Sequence, residues 1–200
     1  MSNSASPEQI DEIRDFVATR VAEGFDSEED IVENASEYFS EEFGDSPELK
    51  LLVTRLTSEV MAEHMLEERS WTGETDCDRL DKAFDELERN GIVARQNFTC
   101  CQTCGHAEIW EEVEQAKQET EVKGYVFYHM QDTERVLEEG RLYLAYGASE
   151  NADDETALRV AGQISEILQN NGFQVDWNGS LDKRICLENL SWRRRRAVLV

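Results

Sequence analysis

The sequence predicts an α+β protein, with an N-terminal helical unit packed on a small mixed β-sheet that carries further helices. Three observations support this class. Apolar residues recur at helical spacing through the first 90 residues, short β-branched and aromatic segments alternate with helical ones after residue 91, and 40% of the chain is hydrophobic. A chain of 200 residues with this content is long enough to bury a core.

Four helices are predicted in the first 90 residues. Each begins at a residue suited to cap a helix, and two of these residues are followed by proline. The start signals are Ser6-Pro7, Ser27, Ser46-Pro47 and either Thr75 or Asp76. Each predicted helix is followed by a stop signal, namely Gly24, Gly44, the segment 70–73 and Asn90-Gly91. We therefore predict a disordered tail at 1–6 and a helical unit at 7–90.

The second half of the chain alternates strands and helices. The predicted strands are 92–98, 124–130, 141–146, 173–177 and 184–188, and the predicted helices are 107–117, 132–139 and 153–171. The connection between the second and third strands is short for a parallel crossover, which favours a mixed sheet. Residues 91–200 are therefore predicted as an α/β unit with a cysteine-rich corner. No low-complexity linker separates the two halves, so one continuous domain is an open alternative.

The segment from Cys100 to His106 concentrates three thiols and an imidazole in seven residues. Cys101 and Cys104 have the spacing of half a zinc site, and His106 adds a nitrogen donor. Neighbouring cysteines in extended backbone point to opposite sides, so we expect Cys100 and Cys101 not to serve one ion. A closed site needs a fourth ligand; the remaining thiols and imidazoles are Cys77, Cys186, His64 and His129, with Cys77 a weak candidate.

Two other interpretations of this segment stay open. Cys104 lies near the start of a predicted helix, where the helix dipole stabilises a thiolate, and Cys101 would be its redox or nucleophilic partner. Alternatively, the cysteines are small buried residues that close a corner between strand and helix, with Gly105 allowing the turn. The sequence does not choose between metal, redox chemistry and burial.

Part of the chain resembles a known family. The run from Gly91 to Gly105, with its Cys-Cys-x-x-Cys-Gly motif, and the segment Gly124–Met130 are similar to an uncharacterised bacterial protein family of unknown function. The resemblance covers mainly residues 80–200. It implies no established activity, and therefore no catalytic residue.

Charge limits the classes of partner. The formal net charge is −24, from 44 acidic and 20 basic residues, which repels nucleic acid and anionic membranes and attracts basic proteins or cations. The alternative, which the sequence favours, is that the acidity aids solubility or reflects a salty habitat. The one basic block, Arg193–Arg196, could contact phosphate or RNA. We favour an internal clamp against the protein's own acidic surface, or a solvated end, because four arginines cannot reverse this field. The sequence shows no apolar run of membrane-spanning length and no secretory signal, so we expect a cytoplasmic protein.

The sequence therefore predicts a soluble, acidic protein-binding or accessory module with a candidate zinc site. The alternative is an enzyme that uses the cysteines and histidine as a thiol or metal site. The sequence shows no Ser-His-Asp spacing, P-loop or HExxH motif, which favours a protein without catalysis. The oligomeric state and the partner's identity are not predicted.

Overall fold

The computed structural model of the chain describes residues 5–44, 46–149 and 152–196, so most of the tail predicted at 1–6 lies outside the described residues. Two compact units divide the described part of the chain: residues 5–73 together with 193–196, and residues 74–192. The described residues form seven helices and five strands, which confirms the predicted α+β class. None of the described helices has both the length and the apolar character that crossing a membrane requires.

Three helices build the first unit: α1 (Pro7–Glu23), α2 (Glu28–Phe43) and α3 (Pro47–Glu68). The predicted start signals are confirmed, since a serine side chain accepts a backbone N–H of the first turn in each helix; the three caps are Ser6, Ser27 and Ser46. The helices share one apolar core, whose fully or nearly fully buried members include Ile13, Val17, Ile31, Phe39 and Val53. The apolar faces of the three helices therefore hold this unit together.

The arginine segment 193–196 packs within the first unit. The guanidinium of Arg196 donates to the backbone oxygen of Val21 (3.0 Å), one of the last carbonyls of α1, and its backbone N–H donates to Glu68. A cation at a helix C-terminus is favourable because the last carbonyls lack partners in the helix. Two neighbouring residues make similar contacts: Arg195 donates to the Gly73 oxygen at 2.9 Å, and Arg194 lies over the Phe25 ring. These contacts support the internal-clamp interpretation.

The second unit contains a five-stranded sheet and four helices. In chain order its elements are α4 (Asp76–Arg89), β1 (Ile92–Arg95), α5 (Gln102–Ala116), β2 (Gly124–Phe127), α6 (Met130–Glu139), β3 (Leu142–Ala148), α7 (Asp154–Asn170), β4 (Gln174–Asp176) and β5 (Ile185–Glu188). The strand order is β1-β2-β3-β5-β4, with β1 and β2 parallel and the other neighbours antiparallel. The predicted mixed sheet is confirmed.

Helices cover both faces of this sheet. Helix α5 covers the face that carries Val93, Tyr125 and Phe127, against which it packs Ile109 and Val113. Because side chains alternate along a strand, Gly124 belongs to the other face, where Val160 of α7 lies close to it. Helix α4 packs against β1 and α7, so it lies with the sheet rather than with the three helices before it.

Three element boundaries differ from the sequence prediction by three residues or more. Strand β1 ends at Arg95 instead of 98, strand β2 ends at Phe127 instead of 130, and helix α5 begins at Gln102 instead of 107. The backbone turns at Asn97 and Thr99, where φ is 50° and 58°, and such positive values interrupt a strand. The earlier start of α5 brings Gln102, Thr103 and Cys104 into its first turn.

Candidate metal centre

A loop between β1 and α5 carries Cys100 and Cys101 and is held against the chain that follows β2. The Phe98 N–H donates to the Tyr128 oxygen (2.8 Å), and the Met130 N–H donates to the Thr99 oxygen (3.1 Å). Thr99 lies between these contacts in the left-handed region, which is rare for a β-branched residue. These contacts fix the conformation of the loop, which leads directly into the start of α5.

Three sulfur atoms meet at this corner. The Sγ atoms of Cys100, Cys101 and Cys104 all lie within 4.8 Å of one another, and those of Cys100 and Cys104 are 3.5 Å apart. The expectation that Cys100 and Cys101 point to opposite sides is wrong. It assumed a continuing strand, whereas the turn at Thr99 removes the alternation that a strand imposes.

The cluster sits at the N-terminus of α5. Cys101 is the N-cap residue, and Cys104 is the third residue of the helix. The helix can start this close to the sheet because Gly105 faces Phe127: a Cβ atom at Gly105 would lie 2.3 Å from the ring carbon Cε2. Glycine is therefore required here by close packing, and this packing fixes the first turn that carries the thiols.

The thiols influence each other's protonation. The backbone N–H of Cys104, and then its thiol, lower the pKa of Cys101 below the ordinary cysteine value. Hydrogen bonding of its thiol to Cys100 and Cys101 raises the pKa of Cys104 to about 11. A helix N-terminus favours negative charge, so the corner stabilises one thiolate while a neighbouring thiol keeps its proton.

The other two sequence-predicted ligands lie outside this sulfur cluster. His106, on the next turn of α5, packs edge-on against Phe127 at a centroid distance of 5.3 Å. Burial, and then the charge of Arg184, lower the pKa of His106, so the neutral imidazole is favoured. Cys77 is 1% exposed within α4. Among the described residues, the three cysteines alone form a group with ligand atoms close enough for one ion.

Sequence reasoning missed a buried polar group beside this corner. Asp132 is fully buried, and one of its oxygens, Oδ2, lies 3.0 Å from His129 Nε2 and 2.9 Å from Arg184 Nη1. His129 Nδ1 has no hydrogen-bond partner, and Asp132 Oδ1 has only a long ion pair, with Arg135 Nη1 3.7 Å away. Burial is the main cause that lowers the pKa of His129. The spacing of His129 and Asp132 at a helix start was the available signal, but Arg184 is distant in sequence.

The geometry bears on one of the interpretations that the sequence left open, namely burial. Cys100 is exposed and Cys101 and Cys104 are partly exposed, so burial does not explain the cluster. Four sulfur ligands around zinc at a bond length of about 2.3 Å would stand about 3.8 Å apart in a tetrahedron. The observed 3.5 Å between Cys100 and Cys104, with all three sulfurs within 4.8 Å, is close to that spacing. The cluster can therefore supply three thiolate ligands to one soft ion.

The fold and this corner define an acidic α+β protein with a three-cysteine cluster at a helix start. The chain belongs to the family described as "Domain of unknown function (DUF6891)", whose profile matches residues 6–196. The match confirms the expected membership of an uncharacterised family, and it extends into the helical first unit. No curated protein and no solved structure matches the chain.

Proposed function

We propose that this protein is a metal-binding accessory module in which Cys100, Cys101 and Cys104 hold one zinc ion as thiolates. The single observation that carries the proposal is the convergence of the three sulfur atoms within 4.8 Å. Zinc is the expected ion because thiolates bind soft or borderline metals, whereas magnesium and calcium select oxygen ligands. The helix N-terminus lowers the cost of collecting negative charge at this corner.

The first test measures metal content and ligand identity together. The protein is purified without added metal, and elemental analysis is expected to give one zinc per chain. Cobalt substitution is then expected to give sulfur-to-metal charge-transfer absorption in the wild type, and this absorption falls in each of Cys100→Ser, Cys101→Ser and Cys104→Ser. Cys186→Ala is the matched control, because it removes a buried thiol of β5 outside the cluster. Absence of bound metal in the wild type contradicts the proposal.

We further propose that the accessory role is to bind a basic protein in the cytoplasm. The net charge of −24 supports this partner class. A groove of about 570 Å³ on the first unit gives one acidic surface with an exposed aromatic ring; it is lined by Glu12, Glu37, Tyr38, Phe39, Ser40, Glu41 and Glu42. Tyr38 is 64% exposed there. A cationic side chain over such a ring would gain a cation–π contact.

The same proposal excludes nucleic acid as the partner. Arg195 and Arg196 of the basic block donate to backbone carbonyls within the first unit, which supports this exclusion. Native purification at low salt is expected to retain a basic protein that high salt releases and that Tyr38→Ala binds less tightly. Recovery of no basic protein, or retention of a nucleic acid, contradicts the proposal.

An enzyme with a thiol or metal site is the second candidate function. The observation that favours it is the number of thiols, since three protein ligands leave a fourth position for water or substrate, as in catalytic zinc sites. Small anions and thiols added to the cobalt-substituted protein test it. A change in the visible cobalt bands is expected if the fourth position is open, and unchanged bands indicate a closed structural site.

A further inference from the structure

We propose that Cys100 and Cys104 are an oxidative modification site, at which hydrogen peroxide forms a reversible disulfide that abolishes the metal site. The consequence for metal rests on the proposed function, whereas disulfide formation does not. The carrying observation is that these two sulfur atoms already stand 3.5 Å apart. A disulfide bond is about 2.05 Å long, so the two sulfurs must approach by about 1.5 Å.

Cys101 is less suitable than Cys100 as the disulfide partner of Cys104. The backbone oxygen of Cys101 accepts from the Gly105 N–H (2.9 Å) and from the Thr99 hydroxyl (3.2 Å), so its main chain is held from both sides. Its φ and ψ of −155° and 170° keep it extended as the helix cap. Cys100 precedes this anchored position and is exposed, so its side chain can approach Cys104 without displacing the cap.

The difference in exposure also indicates which cysteine peroxide oxidises first. Cys100 is exposed and Cys104 only partly exposed, so Cys100 reacts with peroxide and Cys104 then forms the disulfide. The Cys100 thiolate attacks one peroxide oxygen; an S–O bond forms, the O–O bond breaks, and the hydroxide that leaves takes up a proton to become water. The Cys104 sulfur then attacks the sulfenic sulfur of Cys100. The S–S bond forms, the S–O bond breaks, and a second water leaves with the thiol proton. The two cysteines lose two electrons in total, and the peroxide is reduced to two waters.

Loss of the metal site follows from ligand count. Only Cys101 would remain as a thiolate of the three clustered cysteines, and one ligand does not hold zinc against water. Bound zinc and the disulfide therefore exclude each other. A thiol reductant restores the cluster, so the modification is reversible.

The experiment treats the full chain, stripped of metal with a chelator, with hydrogen peroxide and counts free thiols by mass after denaturation and alkylation. The wild type is expected to fall from five alkylated cysteines to three, and to recover with dithiothreitol. Cys101→Ser is expected to lose two thiols likewise, whereas Cys100→Ser and Cys104→Ser lose none to an intramolecular disulfide. A disulfide that persists in Cys100→Ser, or oxidation that stops at sulfinic acid in the wild type, overturns the inference.

A second readout separates this inference from the metal proposal. In the zinc-loaded protein, peroxide is expected to release one zinc for each disulfide formed, measured with a colorimetric chelator. If the protein binds no zinc, the metal proposal fails while the thiol count still tests the disulfide. If zinc binds and is retained when Cys100 and Cys104 are oxidised, the mutual exclusion is refuted.

Discussion

Replacing Gly105 with alanine tests whether close contact between α5 and the sheet holds the cysteine cluster in place. The added Cβ would lie 2.3 Å from Cε2 and 2.7 Å from Cζ of Phe127, whereas ordinary van der Waals contacts are 3.4–4 Å. Phe127 is fully buried, so its ring has no free space into which to move. The start of α5 must therefore move outward by about 1 Å, taking the first turn with it.

The expected change in the free energy of unfolding of Gly105→Ala is the difference between a gain in helix propensity and a cost of overpacking. Alanine in place of glycine inside a helix gains about 1 kcal/mol of helix propensity. Overpacking a filled core costs about 1–3 kcal/mol. Because the overlap is large and the neighbour is a rigid buried ring, we expect an overpacking cost of about 2–3 kcal/mol, which leaves a net loss of about 1–2 kcal/mol in the free energy of unfolding.

Urea denaturation followed by tryptophan fluorescence measures this change, and Gly162→Ala is the matched control. Gly162 is also inside a helix, α7, but an added Cβ there would meet no atom within 4 Å. The control is therefore expected to gain about 0.5–1 kcal/mol. Shortening the facing ring in the double variant Gly105→Ala/Phe127→Leu is expected to recover part of the loss, with a coupling of about 1 kcal/mol.

The packing argument is refuted if Gly105→Ala stabilises the protein as much as Gly162→Ala does. The same variant also reports on the site, because outward movement of the first turn separates Cys104 from the two cysteines of the loop. We therefore expect weaker zinc binding in Gly105→Ala and unchanged binding in Gly162→Ala. Equal affinities in the two variants would show that the contact between Gly105 and Phe127 does not position the thiols.

Three further predictions concern the metal, the C-terminal arginines and the buried histidine. Zinc at 100 times its dissociation constant is expected to stabilise the wild type by about 2.7 kcal/mol in urea unfolding, and to leave Cys104→Ser unchanged; equal shifts contradict binding at the cluster. Arg196→Ala is expected to lose about 1–3 kcal/mol, because the Val21 carbonyl loses a charged donor, while the exposed Arg193→Ala stays within about 0.5 kcal/mol; equal losses contradict the clamp. Burial lowers the pKa of His129, so as the pH falls below 6.5 the unfolded chain takes up a proton that the folded protein does not, and stability declines. In His129→Gln, the melting temperature is expected to fall less as the pH is lowered below 6.5. An unchanged pH dependence would show that other groups cause the loss of stability.

The helices were predicted well because their signals are local. Ser6, Ser27 and Thr75 each cap a helix through the side-chain contact that the sequence indicates. The mixed sheet was also indicated, since the connection between the second and third predicted strands is short for a parallel crossover, and β2 and β3 are indeed antiparallel. The place of α4 was not, because its amphipathic pattern fits a helical bundle and a sheet equally well.

The sequence indicated which residues form the cysteine corner, but not how the backbone arranges them. The positive φ of Thr99 violates the usual preference of a β-branched residue, so no local rule indicates the turn that brings Cys100 beside Cys101. The early start of α5 depends on contact between Gly105 and Phe127, and glycine in a helix lowers local propensity. Both misses have tertiary causes, which a sequence pattern does not contain.

These misses fall at one place, and that location supports the proposed function. A sequence specifies its fold most simply when local preference and tertiary packing agree, and proteins depart from that agreement mainly at functional sites. Here a strained threonine and a helical glycine both serve to bring three exposed or partly exposed cysteines together at a helix N-terminus. A corner that only closed the fold would need neither the strain nor the thiols, whereas a metal centre needs both the turn and the ligands.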